Sequence, residues 1–179
     1  SQAQYADASF GILIVLSSFG ESFPEEVTES HLTNEIHAIT PMLEGMTKAK
    51  MLNLSTMTDI IKLQAMKFMD LLTSLSIYSS PMLMHLVPFR MTKLTFSFGF
   101  NDQYSVPGLV FMSQALLQYS NNNIWLATQL TRTAECLIKD NPNSHALRGR
   151  LALIIGSVQC FVEPLQSAVA KLMDGYNSA

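Results

Sequence analysis

Apolar residues recur at intervals of three and four along almost the whole chain, and this period constrains the fold more than any other feature of the sequence. Ile12 and Leu16 lie on one such stripe, and Leu32, Ile36 and Ile39 lie on the next. The alternation of apolar and polar residues that is typical of β-strands is missing. The sequence therefore predicts an all-α fold.

Proline, glycine and asparagine residues divide the periodic segments into eight predicted helices and one short piece at 48–52. Pro88 lies inside the fourth helix and predicts a kink or a fresh start there, because it removes one backbone hydrogen bond. The helices are expected to begin near Tyr5, Thr28, Thr58 or Asp59, Pro81, Ser105, the residue after Asn123, Asn143 or Ser144, and Pro164.

The links between the predicted helices are mostly short, so that consecutive helices are expected to pack antiparallel. We expect residues 1–179 to form one domain of stacked helical hairpins, similar to a tetratricopeptide (TPR) array. Because the sequence has no strict internal repeat, a single helical bundle is the alternative architecture.

Composition limits the kinds of partner that the chain can bind. The formal net charge is −3, and the 11 lysines and arginines are scattered rather than gathered into a basic stripe, so nucleic acid is not an expected partner. The apolar runs at 10–16 and 151–162 are too short for a membrane span, which needs about 20 residues. The chain opens at Ser1 without a secretory signal, and we expect a piece of a larger intracellular, cytoplasmic protein.

No motif in the sequence indicates catalysis or a cofactor. A phosphate-binding G-x-x-x-x-G-K-[ST] loop, a dinucleotide fingerprint and an H-E-x-x-H zinc pair are all missing. The histidines are far apart in sequence and are expected to lie on helix surfaces without a metal. They are His31, His37, His85 and His145. We therefore predict a protein that is not an enzyme and binds no cofactor or metal.

The two cysteines, Cys136 and Cys160, each lie in an apolar helical stretch. Free cysteines in such stretches usually behave as small buried hydrophobic residues, so that two buried, reduced thiols are expected. A disulfide or redox pair is the alternative. Trp125 follows a polar turn and is expected either to anchor a partner or to wedge two helices apart.

Arg90 is flanked by apolar residues in a mostly apolar helix. A buried guanidinium without a partner would be costly, so we expect Arg90 to pair with an acidic or carbonyl group. Asp59 and Asp70 on the preceding helix are the candidates, and the alternative is an Arg90 side chain that reaches solvent.

The segment 144–156 contains a second candidate site. Residues 144–151, followed by 154–156, resemble the phosphoacceptor box of sensor histidine kinases, with His145 as the acceptor. In that box an acidic residue follows the histidine and a proline comes four residues later, whereas this chain has Ala146 and Arg150. We therefore predict that His145 is inert, with a histidine phosphotransfer or dimerisation element as the alternative function.

A further resemblance extends over almost the entire chain. The segments that carry it are 52–59 running into 62–66, then 89–95, and finally 163–165 together with Tyr176. They are similar to the TPR-like helical region of large AAA-type or STAND-type signalling ATPases, which also carry kinase, GAF, histidine-kinase or cyclase modules. The chain departs from that pattern at 127–131 and at Phe161. The resemblance implies a regulatory scaffold and assigns no catalytic residue here.

The function expected from the sequence is therefore a non-catalytic scaffold that contacts other proteins or neighbouring domains of the same polypeptide. The last predicted helix carries one uncovered apolar edge, which predicts self-association or an exposed patch. That edge comprises Leu165, Ala168, Val169, Leu172 and Tyr176. The content of methionine and phenylalanine leaves a third hypothesis, an apolar-ligand pocket between helices.

Overall fold

The computed structural model describes residues 2–120, 123–140 and 145–178. In these ranges the chain is built from helices, which confirms the predicted all-α fold. The helices are α1 (Gln2–Ser18), α2 (Glu29–Glu44), α3 (Lys48–Leu52), α4 (Ile60–Ser79), α5 (Pro81–Phe98), α6 (Ser105–Tyr119), α7 (Ile124–Asp140), α8 (His145–Gln159) and α9 (Leu165–Ser178).

Local sequence signals explain where several helices begin. The Asp59 carboxylate accepts hydrogen bonds from the first free backbone N–H groups of α4, and the Ser80 hydroxyl caps α5 in the same way. Pro81 occupies the first turn of α5, where its missing N–H is harmless. Pro88 does not start a new helix: α5 continues through it, because the loss of one hydrogen bond is tolerated in a helix that is buried over most of its length.

Helix α1 packs antiparallel on α4, although the two are not consecutive in the chain. Along α1 the ring contacts with α4 run in the opposite sense to the chain, since Tyr5 stacks on Tyr78 and Phe19 contacts Phe68. A single residue, Ser80, separates α4 from α5, so these two helices form a tight hairpin.

The most extensive contacts join helices that are close in chain order. They pair α4 with α5, α5 with α6, α6 with α7 and α8 with α9, while α1 packs on α4 and α2 on α5. In the described part of the chain, none of these extensive contacts joins α1 or α2 to α7, α8 or α9. The molecule is therefore layered from its first helix to its last.

Three buried clusters fill the spaces between these layers. The first lies between α1, α4 and α5, the second between α2, α5, α6 and α7, and the third between α6, α7 and α8. Apolar residues that the helical period places inward are buried in five of the predicted helices. They include Leu16, Leu32, Ile39, Leu72, Leu130 and Leu151.

Two links pair with each other at one end of α5. The backbone N–H groups of Met57 and Phe100 donate to Phe100 and Ser55 carbonyls at 2.9 and 2.7 Å. Gly99 makes this approach feasible, since its φ is +108° and a Cβ there would lie 2.4 Å from the Ser55 carbonyl oxygen. This pairing fixes the start of α4 beside the end of α5.

Four side-chain expectations are wrong. The helical spacing places Ile61 and Phe161 on the stripes of inward-facing residues, but both are exposed, because the apolar stripes of the sequence extend beyond the buried parts of α4 and α8. Cys160 is exposed because it lies just after the end of α8, and Cys136 is half-buried; both thiols are free. His85 is buried rather than on a surface.

None of the helices in the described residues is both long and apolar enough to span a membrane.

Candidate functional site

The turn after α1 brings a carboxylate into the interior. Gly20 has a φ of +80°, and the Glu21 N–H donates to the Leu16 carbonyl at 3.0 Å, so the chain reverses at the end of the helix. As a result Glu21 is only 5% exposed. Sequence reasoning missed this residue, because a glutamate in a polar link carries no pattern that predicts burial.

Glu21 faces two cations from two different helices. Its Oε1 accepts a hydrogen bond from Lys62 Nζ of α4 at 2.8 Å, and its Oε2 lies 3.5 Å from Arg90 Nη1 of α5. Each cation also lies near an aromatic ring, Lys62 at 5.3 Å from the centroid of Phe98 and Arg90 at 5.8 Å from that of Phe23. We call these five residues the Glu21 clasp.

The Glu21 clasp holds the link between α1 and α2 against α4 and α5. Both carboxylate oxygens are engaged, as a nearly buried charge requires. Lys62 and Arg90 keep part of their surface in solvent, which reduces the cost of desolvating them. The arrangement is therefore suited to fixing the packing of three elements, and its charged groups are paired with one another.

The expectation for Arg90 is correct about the type of its partner and wrong about which residue it is. Its partner is acidic, but it is Glu21, whereas Asp59 and Asp70 have other partners. Asp59 uses its Oδ1 to cap α4, accepting from the N–H groups of Ile61 and Lys62 at 2.9 and 3.1 Å. Arg90 instead points toward the link after α1, where Glu21 lies.

Asp70 forms a second ion pair, which joins α4 to α8. Arg150 donates from Nη1 to Asp70 Oδ2 at 2.8 Å and from Nη2 to Oδ1 at 2.6 Å, a bidentate geometry that only arginine provides. Its Nη2 also contacts the Ser74 hydroxyl at 3.1 Å. The arginine that replaces the expected proline of the phosphoacceptor box thus has a structural role.

His145 is the first residue of α8, but its side chain lies outside the part of the chain whose side chains the structure describes. Its inertness to phosphorylation stays a prediction. The apolar-ligand hypothesis likewise stays a prediction.

A buried histidine lies between α5 and α6. His85 is 3% exposed, and its ring meets the Tyr119 ring edge-on with 5.2 Å between centroids. The Tyr119 hydroxyl donates to the Met82 sulfur at 3.4 Å. Burial lowers the pKa of His85, and burial followed by the Glu29 charge raises the pKa of Tyr119, so both rings are held neutral near pH 7.

The remaining candidates from the sequence lie on surfaces. Trp125 is 52% exposed near the start of α7, which favours the partner-anchor hypothesis over the wedge between helices. Tyr176 on α9 is 79% exposed. The structure does not bring Asp59, Arg90, Trp125 and Tyr176 together into one site, since they belong to four different helices or links.

Among the residues that the structure describes, no three His, Cys, Asp or Glu side chains are grouped in a way that could hold a metal ion. Comparisons with known proteins found no matching family model, no matching curated protein and no matching solved structure.

Proposed function

We propose that this chain is a non-catalytic helical scaffold of a signal-transduction protein, stacked in the manner of TPR-like arrays, which contacts other proteins or neighbouring domains through the outer faces of its terminal helices. The observation that carries the proposal is the apolar outer face of α1. Phe10 and Ile14 are 66% and 58% exposed. They are four residues apart and therefore lie on the same face of the helix.

This face points away from the rest of the molecule. Ser9, Ile12 and Leu16 lie on the side of α1 that packs on α4, and the Ser9 hydroxyl hydrogen bonds with that of Ser79 at 3.1 Å. Residues 10–16 of α1 are apolar on every side of the helix, a pattern that is normally buried on all sides, whereas α4 covers α1 on one side. In a stacked array an end that is open to solvent has a polar outer face, so an apolar end is suited to a partner.

Two of the segments that resemble signalling ATPases, 52–59 and 89–95, contribute contacts that hold the helix layers together, and this supports the proposal. The segment 52–59 contributes the pairing with Phe100, and Phe89 in the segment 89–95 is fully buried in a cluster between the layers. The layered contact order also agrees with an array.

The test is site-specific photo-crosslinking in the cells of origin. A benzoylphenylalanine is introduced at Phe10, and the matched control carries it at exposed, polar Glu26. We expect a defined crosslinked peptide, from another protein or from another domain of the same polypeptide, at position 10 and not at position 26. Ile14→Asp should abolish it by placing a charge on the same face. If positions 10 and 26 give the same products, the scaffold proposal is wrong.

A further inference from the structure

The α8–α9 hairpin exposes another apolar surface, apart from that of α1. Leu153 and Tyr176 are 70% and 79% exposed, and four more apolar side chains accompany them. We call this set the hairpin surface, and it comprises Leu153, Phe161, Val162, Val169, Met173 and Tyr176. On α9 three of them recur at intervals of four and three residues, which is one stripe of a helix.

The contact between α8 and α9 shows how the two helices share this surface. Gly156 approaches Leu172 so closely that a Cβ would lie 2.4 Å from the leucine Cδ2. Leu153 is three residues before Gly156, and Val169 is three residues before Leu172. In an antiparallel helix pair, consider one residue from each helix, each the same number of positions before its own contact residue. These two residues lie on the same side of the plane that contains the two helix axes. Leu153 and Val169 therefore belong to one continuous surface.

Two further positions extend the surface in the same way. Cys160 is four residues after Gly156, and Tyr176 is four residues after Leu172. Both are exposed. The hairpin thus presents matching rows from its two helices.

We propose that the hairpin surface binds a second copy of this chain, in a two-fold arrangement that stacks two hairpins into a four-helix bundle. The inference rests on the proposed scaffold function, because it names the occupant of one of its two end faces. In such an isologous contact each copy supplies the same residues. An antiparallel hairpin with one apolar face is the unit from which four-helix bundles are built.

Charge and area both favour a second copy as the occupant. None of the six side chains is charged, so two copies meet without like-charge repulsion, whereas an acidic or basic partner finds no counter-charge on them. The six side chains expose roughly 600 Å² per copy, given about 150–250 Å² for a whole aromatic side chain. With the polar rim added, this reaches about 800 Å² per copy, the size of a standard stable interface.

Sedimentation velocity of the full chain over a range of concentrations tests the proposal. We expect a monomer–dimer equilibrium whose dissociation constant rises about 100-fold or more in Met173→Ser/Tyr176→Ser, since four large apolar side chains leave the interface. The matched control, Phe10→Ser/Ile14→Ser, should leave the dimer unchanged. A monomer at all concentrations, or a dimer that the hairpin variant leaves intact and the control dissociates, overturns the proposal.

Cys160 provides a readout that requires no change in the hairpin surface. In a Cys136→Ser chain, the reaction of Cys160 with excess DTNB should slow as the protein concentration passes through the dimer range. Unchanged reactivity across that range contradicts the proposed interface even if the chain dimerises. Failure here leaves crosslinking at Phe10 unaffected, so it is distinguishable from failure of the scaffold proposal.

Discussion

Burial of His85 has a consequence for stability at mildly acidic pH. The imidazole is nearly inaccessible to solvent and packs edge-on against Tyr119. Desolvation lowers the pKa of His85 in the folded state below its ordinary value of 6.5. In the unfolded chain the ring takes up a proton as the pH falls below 6.5, while in the folded chain it stays neutral.

We predict that the free energy of unfolding falls as the pH is lowered from 6.5 toward the depressed pKa of folded His85, and that it is independent of this group above 6.5. His85→Gln should flatten this part of the profile. Urea unfolding at several pH values measures the effect, and the same replacement at exposed His37 is the control. An unchanged slope in His85→Gln would show that His85 is protonated without penalty in the fold.

The sequence predicts that a residue needs a partner more reliably than it predicts which residue that partner is. Arg90 was expected to pair with an acid because a guanidinium within an apolar helix is costly to leave alone. Glu21 is its partner because Gly20 turns the chain inward after α1, and this turn joins residues that are 69 positions apart. The spacing of apolar residues along a helix does not predict a contact between residues so far apart in the sequence.

Single helices are more predictable, because their signals are local. The short helix α3 lies at 48–52 as expected, and α6 begins at Ser105, where the sequence signals predicted its start. The two apolar residues that the helical spacing wrongly places inward lie at helix ends: Ile61 lies in the first turn of α4, and Phe161 lies beyond α8. An apolar residue that continues the spacing of a stripe gains burial only where a neighbouring helix covers it.

The α8–α9 hairpin depends on one glycine. A Cβ at position 156 would lie 2.4 Å from Leu172 Cδ2 and 2.6 Å from its Cγ, so that Gly156→Ala forces the leucine to move. The higher helix propensity of alanine should raise the free energy of unfolding by about 1 kcal/mol. Overpacking should lower it by about 1–3 kcal/mol. We predict net destabilisation of about 1 kcal/mol by chemical denaturation.

A second substitution, at Leu172, tests whether the clash with this leucine causes the destabilisation. Truncation of Leu172 to alanine in the Gly156→Ala chain should remove the clash, so the two changes together should cost less than the sum of the two single changes. Strict additivity would show that Gly156 and Leu172 do not press on each other.

For the whole molecule, the order of helix contacts bears on the choice between the proposed array and a closed bundle. From α4 to α9 the extensive contacts join helices that are one or two places apart in the chain, while α1 packs on α4 and α2 on α5; α4 and α8 are not among the pairs that pack extensively. The bidentate Asp70–Arg150 pair nevertheless links these two helices across 80 residues. In an array the stability of each layer depends on its nearest neighbours, so a long-range link of this kind couples layers that could otherwise open separately.

Arg150→Gln should therefore loosen one end of the molecule and leave the other unchanged. We expect faster amide exchange in α8 and α9, with an opening free energy reduced by about 1 kcal/mol, since Asp70 and Arg150 are both partly exposed to solvent. Exchange in α1 and α2 should not change. Lys67→Gln, which removes one positive charge from an exposed position of α4, is the control. A uniform rise in exchange through all helices would show that the chain opens as one closed bundle, contrary to the proposed array.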